Sequence, residues 1–235
     1  MTTSGTSGFN LDLNDIIEEA FERCGVEVRT GYEHRTARRS LNLLTIEWAN
    51  RGINLWTIEQ GSIPMVQGQI VYTLPVDTID LLDQVIRTQT GVNQTDINIS
   101  RISVSTYATI PNKNTQGRPI QVWIDRQSGA TEPTGVAAPE IYVWPTPDQS
   151  NFYTFVYWRL RRIQDAGTGT STQDIPFRML NCLVAGLAYY LSLKIPEAAN
   201  RIEMLKMEYE NQWLLASSED REKASLRLAP REMFY

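Results

Sequence analysis

DIPFRMLNCLVAGLAYYLSLKIPEAANRIEMLKMEYENQWLLA, residues 174–216, is the stretch whose reading decides the fold. Between Met179 and Leu193 there is no charged residue, and Phe177, Leu180, Val184, Leu187, Ala188 and Leu191 recur at helical spacing. Cys182, Leu183, Ala185 and Gly186 make the remaining faces nearly as apolar. A helix that is apolar all round is buried on every side. This one is shorter than the roughly 20 residues that cross a bilayer, and Asn181, Ser192 and two tyrosines interrupt it. Pro176 suits its first turn, where a missing N–H costs nothing, and Asp174 stands where a capping carboxylate belongs. Lys194-Ile195-Pro196 then turns the chain back, and a second helix opens on Pro196-Glu197. Its spacing puts Ala198, Ile202, Leu205, Tyr209 and Trp213 inward and Arg201, Glu203, Lys206, Glu208 and Glu210 toward water. The expectation is a one-sided helix wrapped on an apolar one, with neighbouring subunits supplying part of the apolar helix's cover.

Working outward to the N-terminus, a helix is predicted from about Leu13 to Cys24. Leu13, Ile16, Ile17, Ala20, Phe21 and Cys24 form its stripe, with Asp12 as cap and Gly25 as stop. Its outer face is acidic, carrying Asp15, Glu18, Glu19 and Glu22. A second helix is predicted from about Tyr32 to Asn50, with Ala37, Leu41, Leu44 and Trp48 inward and a stop at Gly52. Arg35, Arg38 and Arg39 crowd its first half, the end where the helix dipole favours acids, which points to an external reason for them. Residues 1–10 are Ser/Thr/Gly-rich, without the basic start and apolar run of a signal peptide, and read as a flexible arm.

Past Ile53 the texture changes to short β patterns. Trp56–Ile58, Ile70–Leu74, Gln84–Ile86, Ile120–Ile124, Ile141–Trp144 and Phe152–Trp158 read as strands, the last continuing to Ile163. Gly61, Pro64, Gly68 and Pro75 read as breaks between strands, Ser103–Tyr107 as one helical turn, and Gln127–Pro139 as a loop. The fold class is α+β. N- and C-terminal helices form a helical bundle from 11–52 and 174–216, around a β-rich insertion at 53–173. The chain ends in an extended tail, 217–235, whose beginning, Glu219 to Lys223, reads as charged helix.

The bulk properties are those of an ordinary soluble protein: 235 residues, 42% hydrophobic, 21% charged, net charge −5. A negative chain without a basic stripe is a poor candidate for sequence-specific DNA binding. Catalytic constellations are hard to assemble from it. There is one histidine, His34, so no Ser/His/Asp or Cys/His centre suggests itself, and Cys24 and Cys182 lie in apolar helical patterns too far apart to form a zinc signature. No G-x-x-x-x-G-K-[ST] loop is present. Asp77, Asp80 and Asp83 could furnish paired carboxylates, though their spacing after a strand suits a capped turn better. Tyr153, Tyr157 and Trp158 alternate as sheet core rather than as a base-stacking platform. No cofactor or metal is expected, nor a membrane segment, and the chemical quietness suits a structural role.

Several stretches together resemble the head-to-tail adaptor (connector) proteins of short-tailed double-stranded DNA bacteriophages. They are Glu47–Gly52, Gln69–Pro75, Ser105–Lys113 with Gly117-Arg118-Pro119 and Asp125-Arg126-Gln127, Leu183–Lys194, and Glu219–Ser225. The resemblance implies a non-enzymatic virion protein at the head–tail junction, made in the bacterial host cytoplasm. It implies a ring of twelve subunits beneath the portal protein, extending a channel through which genomic DNA passes without specific binding. It also implies contact with tail nozzle or fibre proteins. On that reading Glu18, Glu19 and Glu22 of one subunit meet Arg35, Arg38 and Arg39 of the next. The tail residues Arg221, Lys223, Leu226, Leu228, Met233, Phe234 and Tyr235 dock on the portal. Two other readings stand beside it: a carboxylate-based glycan hydrolase, and a monomeric sheet-based binding module.

Overall fold

A computed structural model describes residues 4–52, 55–89, 91–126, 131–132 and 135–220. The chain opens with helices α1 (Leu13–Cys24) and α2 (Gly31–Arg51). Strands β1 (Ile58–Pro64), β2 (Val71–Thr73), β3 (Thr78–Thr88), β4 (Thr95–Asn98) and β5 (Ser100–Arg101) follow, then the short α3 (Val104–Ala108). After it come β6 (Gln121–Asp125), β7 (Thr131–Glu132), β8 (Gly135–Val136), β9 (Glu140–Trp144) and β10 (Tyr153–Arg161). Helices α4 (Leu180–Ser192) and α5 (Ile202–Glu219) complete the order, which is α+β as the sequence predicts. The chain divides into two compact units. One runs to Leu55 and resumes at Gln164; the other is Trp56–Ile163.

In the helical unit the N-terminal helices begin and end on local chemistry. Asp12 accepts from the Asp15 N–H at 2.9 Å while Asp15 reaches back to the Asp12 N–H, a reciprocal cap, and Gly25 closes α1 at φ 84°. Thr30 and Glu33 do the same for α2, a capping box the sequence reading passed over. The connection ahead of α4 is tied to α1, whose Leu13 and Asn14 N–H groups donate to Ser171 and Gly169 carbonyls at 3.0 Å.

Helix α4 is the core. Every residue from Cys182 to Ala188 is buried, and α1, α2 and α5 all pack on it. At Gly186 the neighbours come so near that an added Cβ would lie 2.8 Å from Leu44 Cδ2 and 2.9 Å from Tyr209 Cε2. The expectation that neighbouring subunits share in covering this helix is therefore corrected: its own chain covers it. The start of the hairpin also differs from expectation. Pro176 precedes a single 3-10 turn, Phe177–Met179, with no side-chain cap, and Asp174 accepts instead from the Gln164 N–H at 3.1 Å. After the turn-back, Pro196–Arg201 is 3-10 and becomes α-helical only at Ile202. Helix α5 runs on without a break to Glu219, past Ala216 and into the start of the tail, which also reads as helical.

The β-rich unit holds two four-stranded sheets, β1-β10-β3-β4 and β2-β9-β6-β5, antiparallel except for the β5–β6 pair. Alternation sends Val122 and Ile124 of β6, Ile141 and Val143 of β9, and Tyr153, Phe155 and Tyr157 of β10 into one core with Met65, Tyr72, Leu81 and Ile86. Trp158, expected in that core, falls on the opposite phase of β10 and is only half-buried. Gly61 and Pro64 are not breaks. They lie within β1, an edge strand where a proline costs no ladder bond. Gly61 sits against the Tyr157 ring, which a Cβ would enter. Two short strands, β7 and β8, pair within the stretch read as a loop.

Candidate subunit-contact surfaces

The acidic face of α1 borders a groove of about 780 Å³ that α1 makes with the beginning of α4. Leu180 and Val184 form its floor, Phe9, Leu11 and Phe177 its apolar sides, and Asp15, Glu18, Glu19 and Glu22 its rim. The helical period that buries Ile16, Ile17, Ala20 and Phe21 turns Glu18 and Glu22 outward. Glu19 is partly engaged, accepting Arg23 Nε at 2.9 Å, and Arg23 also donates to Asn181 at 3.1 Å. Phe9 and Phe177 are 76% and 80% exposed, a large apolar surface beside carboxylates.

Arg35, Arg38 and Arg39 are exposed on α2. Among the described residues none of them has a carboxylate within ion-pair distance, whereas Arg51 at the other end of the helix has two, Glu47 and Glu210. Arg39 lines a second groove, about 960 Å³, together with Glu22, Tyr32 and the turn Lys194–Glu197. One chain thus brings Glu22 and Arg39 to the same groove, while Arg35 and Arg38 line neither. Lys194 donates to Ser40 Oγ at 2.6 Å, and burial, with the Arg39 charge, pulls its pKa below the usual lysine value.

Sequence reasoning missed one surface. Helix α5 was expected to present charges outward, but Met204, Met207, Leu214 and Leu215 share that side and are more than half exposed. The signal was in the spacing: positions 204, 207, 214 and 215 repeat near 3.6 as regularly as the inward set. The portal-docking candidates Arg221, Lys223, Leu226, Leu228, Met233, Phe234 and Tyr235 lie outside the described residues. What is described is their root. Asp220, its side chain wholly buried, receives Arg178 Nε at 3.1 Å and the Leu55 N–H at 3.4 Å, so the chain leaves α5 from a fixed point.

The chemistry weighed for other functions is occupied elsewhere. Asp77 pairs with Arg159 at 2.5 Å, and that guanidinium holds its carboxyl below the usual carboxylate range. Asp80 is shared by Arg101 and Arg126 at 3.0 and 2.9 Å. Asp80 on β3 and Asp77 just before it are thus both held in ion pairs with arginines. On the β6–β9 sheet the half-buried Trp123 and Tyr142 are in mutual contact, and Tyr107 of α3 stacks on Trp123 at 5.5 Å with Lys113 over its ring. Burial pushes the Cys24 thiol up to about 11 and the Cys182 thiol up to about 12, so both are packing groups rather than nucleophiles. No helix among the described residues is long and apolar enough to cross a membrane.

A search of curated proteins found no match. One helical unit thus carries an exposed acid face, an exposed arginine face and an exposed apolar stripe. The model of the family described as SU10 adaptor protein matches residues 12–231, and the chain belongs to that family of structural adaptors of the bacteriophage virion.

Proposed function

We propose that this adaptor forms a closed ring of twelve subunits beneath the portal of a short-tailed double-stranded DNA phage, lengthening the DNA channel and carrying the tail. The observation behind this reading is the separation of charge on one compact helical unit. Apart from Glu22 and Arg39, which border one groove of the same chain, acids face out from α1, and arginines without ion partners among the described residues face out from α2. Surfaces of opposite sign at different places on one body suit head-to-tail repetition, which closes into a ring when the rotation closes. Each exposed pair contributes only about 0–1 kcal/mol, but a ring repeats the set at every interface, and the apolar stripe of α5 adds surface that a neighbour can cover.

The helical unit, 11–52 with 174–216, then carries the ring contacts. The β-rich insertion receives the nozzle or fibre proteins, and the tail anchors on the portal through Arg221, Lys223, Leu226, Leu228, Met233, Phe234 and Tyr235. A net charge of −5 suits a conduit that genomic DNA must pass without sticking, since every phosphate contact would add affinity. Cryo-electron microscopy of the protein mixed with its portal tests the reading. A twelvefold ring below the portal, with α1 of each subunit facing α2 of the next, is the expected result. A portal surface left bare would overturn it.

A further inference from the structure

We infer that β1 of one subunit pairs with β4 of the next, joining the sheets of neighbouring copies edge to edge into one antiparallel sheet. The inference deepens the proposed function, because it rests on the reading in which the chain forms a closed ring and adds a contact in the β-rich unit.

The sheet β1-β10-β3-β4 ends in two strands whose outer edges pair with nothing among the described residues. The Met65 N–H donates to the Tyr153 carbonyl at 2.9 Å. Ladder alternation therefore turns the backbone groups of Gly61 and Ile63 toward β10 and those of Gln60 and Ser62 away from it. Pro64, with no N–H to give, falls on the same outward phase. Carried across β10 and β3, the alternation turns Thr95 and Ile97 toward β3, and Asp96 and Asn98 outward. Gln60, Ser62, Asp96 and Asn98 are all exposed. Such a row of open N–H and C=O groups is a template for another strand, and neither edge carries the lysine that commonly blocks pairing. Their acids are engaged inside the sheet, Glu59 by Arg159 and Arg161, Asp96 by Arg87. The edges of the other four-stranded sheet, β2 and β5, are only three and two residues long.

A second copy supplies the strand that fits. Three antiparallel steps, β1 to β10 to β3 to β4, leave β4 running opposite to β1. A second copy's β4 laid on β1 thus continues the alternation without inverting the sheet. The faces agree as well. Ile63 packs on the sandwich core, Gly61 lies against the buried Tyr157 ring, and Ile97 pairs with the buried Ile86. On both strands the residues with outward backbone groups are therefore those whose side chains face solvent. Pairing Gln60 with Asn98 and Ser62 with Asp96 satisfies both edges, keeps polar side chains outside and sets Ile97 beside Gly61. A slip of two residues one way would set Ile97 against Glu59; a slip the other way would call on the N–H that Pro64 lacks.

Each copy then uses one edge of each kind, and only closure of the ring leaves no edge open. Four strands span about 19 Å, so twelve copies give a sheet about 230 Å around, enough to enclose a channel. Two β1 strands pairing across a two-fold axis, Gln60 opposite Gln60, would stop at a dimer with both β4 edges still open.

Cysteine crosslinking of the full chain assembled on its portal tests this. Within one chain Gln60 and Asn98 stand on opposite edges, three strand spacings or about 14 Å apart. That is beyond the Cα reach of a disulfide, about 7 Å, whereas a hydrogen-bonded pair between copies brings Cα atoms to about 5.5 Å. Cys24 and Cys182 are buried and do not compete. Gln60→Cys with Asn98→Cys should give covalent multimers up to the full ring on mild oxidation, and each single variant none. Ser62→Pro added to that chain removes only an outward N–H, so circular dichroism should be unchanged and the crosslinked yield should fall at least about tenfold. Undiminished crosslinking with Ser62→Pro overturns the inference. Dimers from Gln60→Cys alone overturn it in favour of β1 paired with itself, and dimers from Asn98→Cys alone in favour of β4 paired with itself. Electron microscopy scores the ring separately. A ring without crosslinks removes only the strand pairing. Crosslinked multimers without a ring remove the proposed function and leave the pairing as an open row, and the absence of both removes both.

Discussion

The indole N–H of Trp48 donates to the phenolic oxygen of Tyr209 at 3.1 Å, joining α2 to α5 across the α4 core. Both side chains are fully buried, and neither polar atom has water to fall back on. The Tyr209 hydroxyl passes its own hydrogen to Glu47 at 3.3 Å, and Tyr190 of α4 donates to the same carboxylate at 2.6 Å. Arg51 closes the cluster, pairing with Glu47 and Glu210 while its guanidinium lies 4.7 Å from the centre of the Trp213 ring. Three helices are thus fastened by a polar network that runs from the buried Trp48–Tyr209 pair out to Glu47, Arg51 and Glu210 nearer the surface. Its buried end fixes one arrangement because the Trp48 N–H left alone would be an unpaired buried group.

Tyr209→Phe removes one oxygen and orphans the buried Trp48 N–H, while the Glu47 oxygen it also leaves keeps Arg51 at 2.5 Å. Leaving buried polar groups unpaired costs about 1–3 kcal/mol, while the ring packing is unchanged. The expected result is a loss of that size in denaturant unfolding of the full chain. Trp48→Phe should cost at least as much, because it also removes packing volume from a fully buried site.

Gly186→Ala sets two effects against each other. Alanine favours a helix interior by about 1 kcal/mol over glycine. Against that, its Cβ would lie 2.8 and 3.0 Å from the two methyls of Leu44 and 2.9 Å from Tyr209 Cε2, and both neighbours are fully buried. Overpacking typically costs about 1–3 kcal/mol, so the net expectation is destabilisation by about 1 kcal/mol, read by thermal unfolding. Gly52→Ala, at φ 77° with nothing within 4 Å of its Cβ, separates the cost of backbone strain from that of crowding.

The helices were legible because their patterns are local. Leu13 to Cys24 and Ala37 to Trp48 repeat at 3.6, and each buried residue named from that repeat is buried. What escaped depends on distant partners. That Gly61 could lie inside a strand needs the Tyr157 ring, nearly a hundred residues on, to take the space of its missing side chain. That α4 is enclosed by its own chain depends on how closely Leu44 and Tyr209 approach Gly186. The groove rim at Glu18 and Glu22 could be read from α1 alone. Its apolar sides could not, because Phe177 and Val184 join it only through tertiary packing.

Acid should weaken both units in the same window. Arg159 holds the Asp77 carboxyl below the usual range in the β-rich unit, and Arg51 does so for Glu210 in the helical unit. A carboxylate with a depressed folded pKa contributes stability above its unfolded pKa and loses it as pH falls through the folded value. With unfolded values of about 4, Tm should be level between pH 7 and 5 and decline below about pH 4. Asp77→Asn and Glu210→Gln should melt lower than the wild type at pH 7, and the gap should narrow as pH falls. A gap that stays constant down to pH 3 would remove these pairs as the cause.

Charge reversal on α2 is the direct test of the ring contact. Arg38→Glu with Arg39→Glu changes exposed side chains that make no ion pair among the described residues, so the monomer should keep its fold and its Tm. Arg35, one turn earlier on the helix, is left to hold the register. At a subunit interface the same change turns attraction to Glu18, Glu19 or Glu22 into repulsion. In the proposed ring it does so once per interface, and twelve such interfaces would multiply a pairwise effect of a few tenths of a kcal/mol into several kcal/mol per ring. Salt separates this from a general defect, since screening over about 10 Å at 0.1 M weakens repulsion as well as attraction. Portal-templated assembly of the double variant should therefore fail at low salt and recover in part at high salt. Glu18→Lys with Glu22→Lys in the same chain should restore it at low salt by exchanging the signs across the contact. Assembly of the arginine variant at wild-type levels in low salt, or no rescue by the exchanged pair, would place the ring contact elsewhere, with the exposed Met204, Met207, Leu214 and Leu215 of α5 next to test.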